Sequence, residues 1–160
     1  MNFAWVGFER EINSDIIINI LKEKFNLSHC YGYETSQLES WQNKLNLSNA
    51  SKNPSVVFYE VTRNESEFPI VWEFVSFPDL HDWIRVDLVM AYYLSQSLNC
   101  KTITDGTGFG LDNSEYWDIV FDNEKVFLVD DLNTKFYGDG HNRLKVVKEM
   151  DLQKLIKKHC

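Results

Sequence analysis

The middle of the chain constrains the fold most, because two strand patterns pass there directly into a helix pattern. Residues 56–62 and 69–77 are rich in aromatic and β-branched residues, which favour strands. The short polar segment 63–67 between them predicts a hairpin. Over residues 79–98 the apolar positions instead recur with the period of a helix. A chain with this arrangement must pack a helix against a sheet.

Shorter patterns on either side extend the same scheme. Strands are predicted at 3–9, 101–104, 115–121, 125–130 and 143–149, and helices from an N-cap at Ser14 to about Phe25, at 35–47 and at 152–158. Most of the strands are joined by hairpin-like links, which are typical of antiparallel sheets. We therefore predict an α+β fold in a single domain, residues 1–160, with an antiparallel-rich sheet and the long amphipathic helix 79–98 packed on one face.

Length and composition exclude several classes of protein. The chain has 160 residues, of which 44% are hydrophobic, so it can bury a core without help from a metal or a disulfide. No stretch approaches the roughly 20 apolar residues of a membrane span. The first residues, Met1–Trp5, lack the basic region that opens a signal peptide. We expect a cytoplasmic protein with no membrane partner.

The cysteines give little sign of chemistry. Cys30, Cys100 and Cys160 are odd in number and far apart, which predicts reduced thiols rather than a disulfide framework. A catalytic thiol would need a base beside it, and only the sequence neighbours His29 and His159 suggest one. We predict no catalytic residue, no cofactor and no metal.

The net charge of −8 is unevenly distributed along the chain. Residues 105–139 hold nine acidic and two basic residues, whereas residues 143–158 hold six basic and two acidic ones. An acidic chain lacks the basic footprint that phosphate binding requires, so we exclude nucleic acid as a partner. The acidic block is then either a solvated face that attracts the basic tail or a docking surface for a basic partner.

Two further features, Asp87 and the loop 105–110, are candidates for chemical sites. Asp87 falls at the centre of the apolar stripe of helix 79–98, where a carboxylate needs hydrogen bonds or a cation, or else its pKa rises. It is either a satisfied structural residue, bonded to a Tyr, a Trp or the neighbourhood of Arg85, or a perturbed acid in a site. The loop 105–110 (DGTGFG) lacks the Lys-Ser/Thr of a phosphate loop and does not enter a helix, so its glycines are expected to supply positive φ angles.

The predicted hairpin formed by 115–121 and 125–130 concentrates the acidic residues. Alternation places Trp117 and Ile119 on one face of the first strand and Asp118 on the other. With a turn at residues 122–124, Asp118 and Asp130 are expected on the same outward face. Clustered carboxylates can bind divalent cations or perform acid–base chemistry, although no metal-binding motif is present.

One stretch resembles a known group of proteins. The segments that carry the resemblance are Thr102–Gly108 (TITDGTG) and Tyr116–Ile119 (YWDI), within a small acidic chain rich in Trp and Tyr. With these features the chain resembles bacterial immunity proteins of the contact-dependent growth inhibition type. The resemblance covers about residues 79–131 and carries no functional residues over. It implies a protein that binds and neutralises a cognate toxin. Many toxins of this kind are basic nucleases.

The resulting hypothesis is a cytosolic binding protein that recognises a basic protein toxin through an acidic, aromatic-bearing surface. Its predicted partner-binding residues are Asp105, Asp112, Glu115, Tyr116, Asp118, Asp122, Glu124, Asp130 and Asp131. Two alternatives stay open. One is a small hydrolase or metal-dependent enzyme that uses Asp87, Asp118 and Asp130, and the other is a ligand- or peptide-binding module.

Overall fold

A computed structural model describes residues 2–27, 29–32, 56–77 and 85–159. The predicted helix 35–47, residues 79–84 of the predicted helix 79–98 and Cys160 lie outside these ranges. The prediction of one continuous helix from residue 79 was wrong, because Arg85 has extended dihedral angles and is the N-cap of a helix that begins at Val86. The described elements confirm the α+β class. They are β1 (Asn2–Phe8), α1 (Ser14–Phe25), β2 (His29–Gly32), β3 (Val56–Arg63), β4 (Ile70–Phe77), α2 (Val86–Leu98), β5 (Thr102–Asp105), β6 (Trp117–Asp122), β7 (Lys125–Asp130), β8 (Lys145–Met150) and α3 (Leu152–His159).

The described strands join in one sheet in the order β2-β3-β4-β1-β5-β6-β7-β8. Every pair is antiparallel except β2 with β3, which is parallel. The predicted hairpins β3–β4 and β6–β7 are both present. Strand β1 lies in the middle of the sheet, between β4 and β5. The four-residue strand β2 was not predicted, since HCYG carries little of the β-branched signal of a strand.

One face of the sheet forms the main core together with the helices. Phe8, Trp72 and Phe121 project from this face and are almost fully buried with α1 residues Ile17 and Leu21. Helix α2 contributes six buried residues, namely Leu88, Val89, Met90, Ala91, Leu94 and Ser95. Its backbone is tied to the sheet, because the Thr102 hydroxyl donates to the Ala91 carbonyl at 2.7 Å. Burial of large side chains at this density accounts for the association of helices and sheet.

The opposite face of the sheet carries a smaller apolar cluster. Ile103, Val120 and Val129 are buried there with Phe68. The segment that follows β7 crosses this face and packs Phe136 against Trp5, with ring centroids 5.6 Å apart. Strands β6 and β7, which carry the central part of the acidic block, are therefore covered on both faces.

The helix ends follow local side-chain chemistry. The N-cap of α1 is Asn13, whose side chain accepts a hydrogen bond from the Asp15 amide at 2.9 Å, so the predicted cap at Ser14 was wrong by one residue. Both residues are good caps, but the residue that keeps non-helical dihedral angles takes the role. The predicted cap of the last helix is confirmed, since Asp151 Oδ1 accepts from the Lys154 amide at 3.1 Å.

Candidate functional site

The β6–β7 register corrects the predicted arrangement of the acidic hairpin. Asp122 pairs with Lys125, so the turn contains two residues instead of three. Asp118 consequently lies opposite Val129, while Asp130 lies opposite Trp117. Shifting a register by one residue moves side chains to the other face. Asp118 and Asp130 thus project from opposite faces, and the prediction that they share one was wrong.

Asp118 and Asp131 form a buried pair of carboxyl groups. Their exposed fractions are 1% and 2%, so neither side chain of the predicted binding set can touch a partner here. Burial, together with a hydrogen bond between the two carboxyl groups, raises the pKa of Asp118 well above its usual range. Burial also raises the pKa of Asp131. Each residue has one buried oxygen, Asp118 Oδ2 and Asp131 Oδ1, that accepts no hydrogen bond from a described donor.

The loops at this end of the hairpin expose both acidic and apolar side chains. Loop 106–116 precedes β6 and loop 131–144 follows β7, and the paired residues Trp117 and Asp130 bring the two loops together. We use the name loop-end surface for six side chains at this end of the hairpin, namely Leu111, Asp112, Glu115, Asp130, Leu132 and Tyr137. Leu111 is 95% exposed, Leu132 43% and Tyr137 45%. Apolar and aromatic side chains held among carboxylates are typical of protein-binding surfaces.

Hydrogen bonds fix the acidic side chains of the loop-end surface. The Trp117 indole donates to Asp112 Oδ1 at 2.8 Å, which lowers the pKa of Asp112 and keeps it charged. Asp130 Oδ1 accepts from the Leu132 amide at 2.9 Å. The Tyr137 hydroxyl donates to Glu115, and this bond raises the pKa of Tyr137 to about 12. The charges therefore stand in defined positions instead of on free side chains.

Tyr116 supports this surface from behind. Its ring meets Tyr137 edge to face, with centroids 4.8 Å apart. Its carbonyl accepts from the Asp131 amide at 2.9 Å, so the loop that follows β7 is anchored to the start of β6. Of the predicted binding residues, Tyr116 is thus half-buried and holds the exposed Tyr137 in place.

Two predicted residues lie at the other end of the hairpin. Asp122 ends β6 and Glu124 is in the turn, about 16 Å from Trp117 at the usual rise of an extended strand. Asp122 is bound to Lys101, with Oδ2 and Nζ 3.5 Å apart. Both residues line a groove of about 580 Å³ between the end of α2 and the turn, beside Gln96, whose side chain donates to the Asn123 carbonyl. The acidic block is therefore divided between two ends of the hairpin.

Asp87 is bound by Arg85, which agrees with the alternative that it is a structural residue with its hydrogen bonds satisfied. The Arg85 guanidinium donates to both carboxylate oxygens of Asp87, at 3.0 and 2.7 Å. It also donates to the side chain and the carbonyl of Asp105, at 3.0 and 2.8 Å. Arg85 thus ties the start of α2 to the end of β5. The carboxylates of the enzyme alternative are not brought together, because Asp118 and Asp130 project from opposite faces and Asp87 is occupied by Arg85.

The glycine loop serves close packing more than positive φ angles. Only Gly108 of its three glycines has a positive φ, at 91°. A β-carbon on Gly106 would lie 2.7 Å from the Asp118 backbone, and one on Gly110 would lie 2.2 Å from the Trp117 ring. Glycine is required at both positions because the chain passes so close to β6.

The two described cysteines are buried and unbridged. Burial raises the pKa of the Cys30 thiol to about 12, and burial also raises the pKa of Cys100. A thiol with a raised pKa is a poor nucleophile, so these positions agree with structural roles.

Sequence reasoning missed Leu111, Leu132 and Tyr137, since apart from Tyr116 it selected only charged residues within the acidic block. A usable signal existed, because each is a large apolar or aromatic residue within a Gly-, Asn- and Asp-rich loop, where no core-facing periodicity explains it. It also missed the burial of Asp131. Positions 130 and 131 are both aspartate, so residue type alone does not indicate which of the two is buried.

Within the described ranges no helix is long and apolar enough to cross a membrane. In the same residues no group of three or more His, Cys, Asp or Glu side chains could hold a metal ion. The sequence matches no protein-family model, and neither the curated proteins nor the solved structures give a significant match. Function must therefore be inferred from the chemistry of the chain itself.

Proposed function

We propose that this chain is a cytoplasmic immunity protein that neutralises a basic protein toxin by docking it on the loop-end surface. The observation that supports the proposal is the exposure of Leu111, Leu132 and Tyr137 beside the fixed carboxylates of Asp112 and Glu115. Apolar anchors supply contact area, and acidic neighbours steer a basic partner and set its orientation. The resemblance of Thr102–Gly108 and Tyr116–Ile119 to immunity proteins agrees with the same function.

The geometry narrows the surface that the acidic composition suggested. Asp118 and Asp131 are buried, and Asp105 is occupied by Arg85. Asp122 and Glu124 lie at the far end of the hairpin, where the groove that both residues line has only polar and charged side chains. The proposed docking residues are therefore the six of the loop-end surface, with Tyr116 in a supporting position.

The test uses the toxin domain encoded directly upstream of this gene. Co-expression should restore growth to cells that produce the toxin, and the two purified proteins should form a complex whose association rate falls steeply with salt. Failure of the chain to bind or to protect against that toxin would overturn the immunity function.

A matched pair of double variants then locates the surface. Asp112→Asn with Glu115→Gln keeps the acceptor oxygens and removes two charges, so we expect the association rate to fall by roughly tenfold at low salt. Asp122→Asn with Glu124→Gln removes two charges at the far end and should leave the rate nearly unchanged. Surface plasmon resonance measures both rates. If both double variants lowered the association rate equally, the rate would depend on the net charge of the protein and not on the loop-end surface.

A further inference from the structure

We propose that Asp118 and Asp131 share one proton between their carboxyl groups, and that this proton holds loop 131–144 against the sheet. Separate backbone contacts hold the two residues next to each other. Asp118 is locked in the β6 ladder opposite Val129, and the Asp131 amide donates to the Tyr116 carbonyl at 2.9 Å. The two carboxyl groups interact directly and are almost fully buried, and no described donor reaches Asp118 Oδ2 or Asp131 Oδ1.

Two neighbouring carboxylates are strongly disfavoured in a buried position when both are ionised. Their repulsion is not relieved by a cation, because neither residue forms an ion pair with any described Lys, Arg or His. A proton resolves the conflict, since a protonated carboxyl group donates to its ionised neighbour.

The negatively charged groups around the pair further favour protonation of one carboxyl group. Asp105 on β5, Asp130 at the end of β7 and Glu115 in the preceding loop all act on one or both members with the same negative sign, and the Tyr137 phenol is close to Asp131. Arg85 reaches Asp105 but is divided between that residue and Asp87. Burial and these neighbours together favour the neutral form of one carboxyl group.

The pair stands at the base of loop 131–144. The Thr134 amide and hydroxyl both donate to the Asp131 carbonyl, at 3.2 and 2.6 Å. Farther along, the Asn142 amide donates to the Asn133 carbonyl at 2.8 Å, which closes the loop. If the shared proton is lost to solvent, repulsion pushes Asp131 away from Asp118 and releases the loop that carries Leu132 and Tyr137.

The pH dependence of stability tests the shared proton. Each pKa is raised in the folded state, so the stabilisation is complete below the ordinary aspartate pKa and is lost as the pH rises through the raised value. Over that interval the unfolding equilibrium constant of the wild type should increase by about tenfold per pH unit relative to Asp118→Asn. The asparagine amide donates permanently to Asp131, so this variant should lack the slope. Asp139→Asn, on the same loop but exposed, is the control and should follow the wild type.

One measurement on the wild-type protein alone keeps the proposal testable if a variant folds poorly, and a second compares the two proteins at alkaline pH. With 13C-labelled aspartate, one carboxyl resonance should keep its protonated chemical shift at neutral pH. At alkaline pH, trypsin should cut after Lys135 faster in the wild type than in Asp118→Asn at the same pH.

Three outcomes would overturn the proposal. One is an unfolding curve whose pH dependence is the same in the wild type and Asp118→Asn. Another is the absence of a protonated aspartate at neutral pH. The third is stabilisation of the wild type, but not of Asp118→Asn, by added Mg²⁺ or Ca²⁺, since a cation would then occupy the place of the proton. None of these measurements requires a toxin, so they are independent of the proposed function.

Discussion

Replacing Arg85 with methionine is expected to lower the free energy of unfolding by about 2–4 kcal/mol. Arg85 and Asp87 are mostly buried, with side chains 24% and 14% exposed. The guanidinium makes two bonds to Asp87 and two to Asp105, and it covers the Phe109 ring at 5.8 Å. Methionine preserves part of the packing but leaves two carboxylates without their cation, which is the costly way to break a buried ion pair.

Arg63 provides the matched control for this measurement. It also binds a carboxylate through two bonds, to Glu11 at 2.6 and 2.7 Å, but its side chain is 62% exposed. Water replaces a bond of this kind at little cost, so Arg63→Met should cause a much smaller loss. Urea denaturation followed by circular dichroism gives both values. Equal losses would mean that the Arg85 contacts contribute no more than a surface pair.

A second substitution isolates the contribution of Asp87. If the cost of Arg85→Met comes from unpaired carboxylates, then adding Asp87→Asn should recover part of the lost stability. The two effects are expected to be non-additive because the residues are in direct contact.

Gly140→Ala should destabilise the protein by about 1–3 kcal/mol and loosen loop 131–144. A β-carbon at this position would lie 2.0 Å from the Asn133 backbone, and backbone atoms cannot move aside as the end of a flexible side chain can. The Asn133 carbonyl accepts from the Asn142 amide, so a shift at this point breaks the bond that closes the loop. Loss of the closed loop should also weaken toxin binding, since the loop presents Leu132 and Tyr137.

Gly138→Ala is the matched control, two residues away in the same loop. A β-carbon there has no atom within 4 Å, and its φ is not positive. Its effect on stability should therefore stay within about 0.5 kcal/mol. Thermal unfolding and amide hydrogen exchange at Asn142 measure the two variants side by side. If Gly140→Ala matched Gly138→Ala in both measurements, the close approach to Asn133 would not constrain the loop.

Sequence reasoning succeeded where a local pattern determines the local structure. The segments 56–62 and 69–77 became β3 and β4 because their aromatic and β-branched residues fit a pleated surface whatever their partners are. The hairpin after residue 115 was also found, together with the helix that begins after Asp151. The α+β class followed from these elements without any knowledge of strand order.

The candidate site depended on details that a sequence pattern does not contain. A turn of two residues instead of three decided which face Asp118 occupies, and both turns suit the residues Asp122–Lys125. The burial of Asp131 depends on a loop that packs from later in the chain. Arg85 was considered as a neighbour of Asp87, but its bond to Asp105 joins residues twenty positions apart.

The position of β1 in the sheet has a consequence for how the chain acquires its structure. Strand β1 pairs on one side with β4 and on the other with β5, and both neighbours lie far from it along the chain. Sheets built from such distant pairings fold slowly, because a long loop must close before the contacts form. We expect the pairing of β1 with β5, which closes the longer of the two loops, to be a slow step in the folding of the sheet.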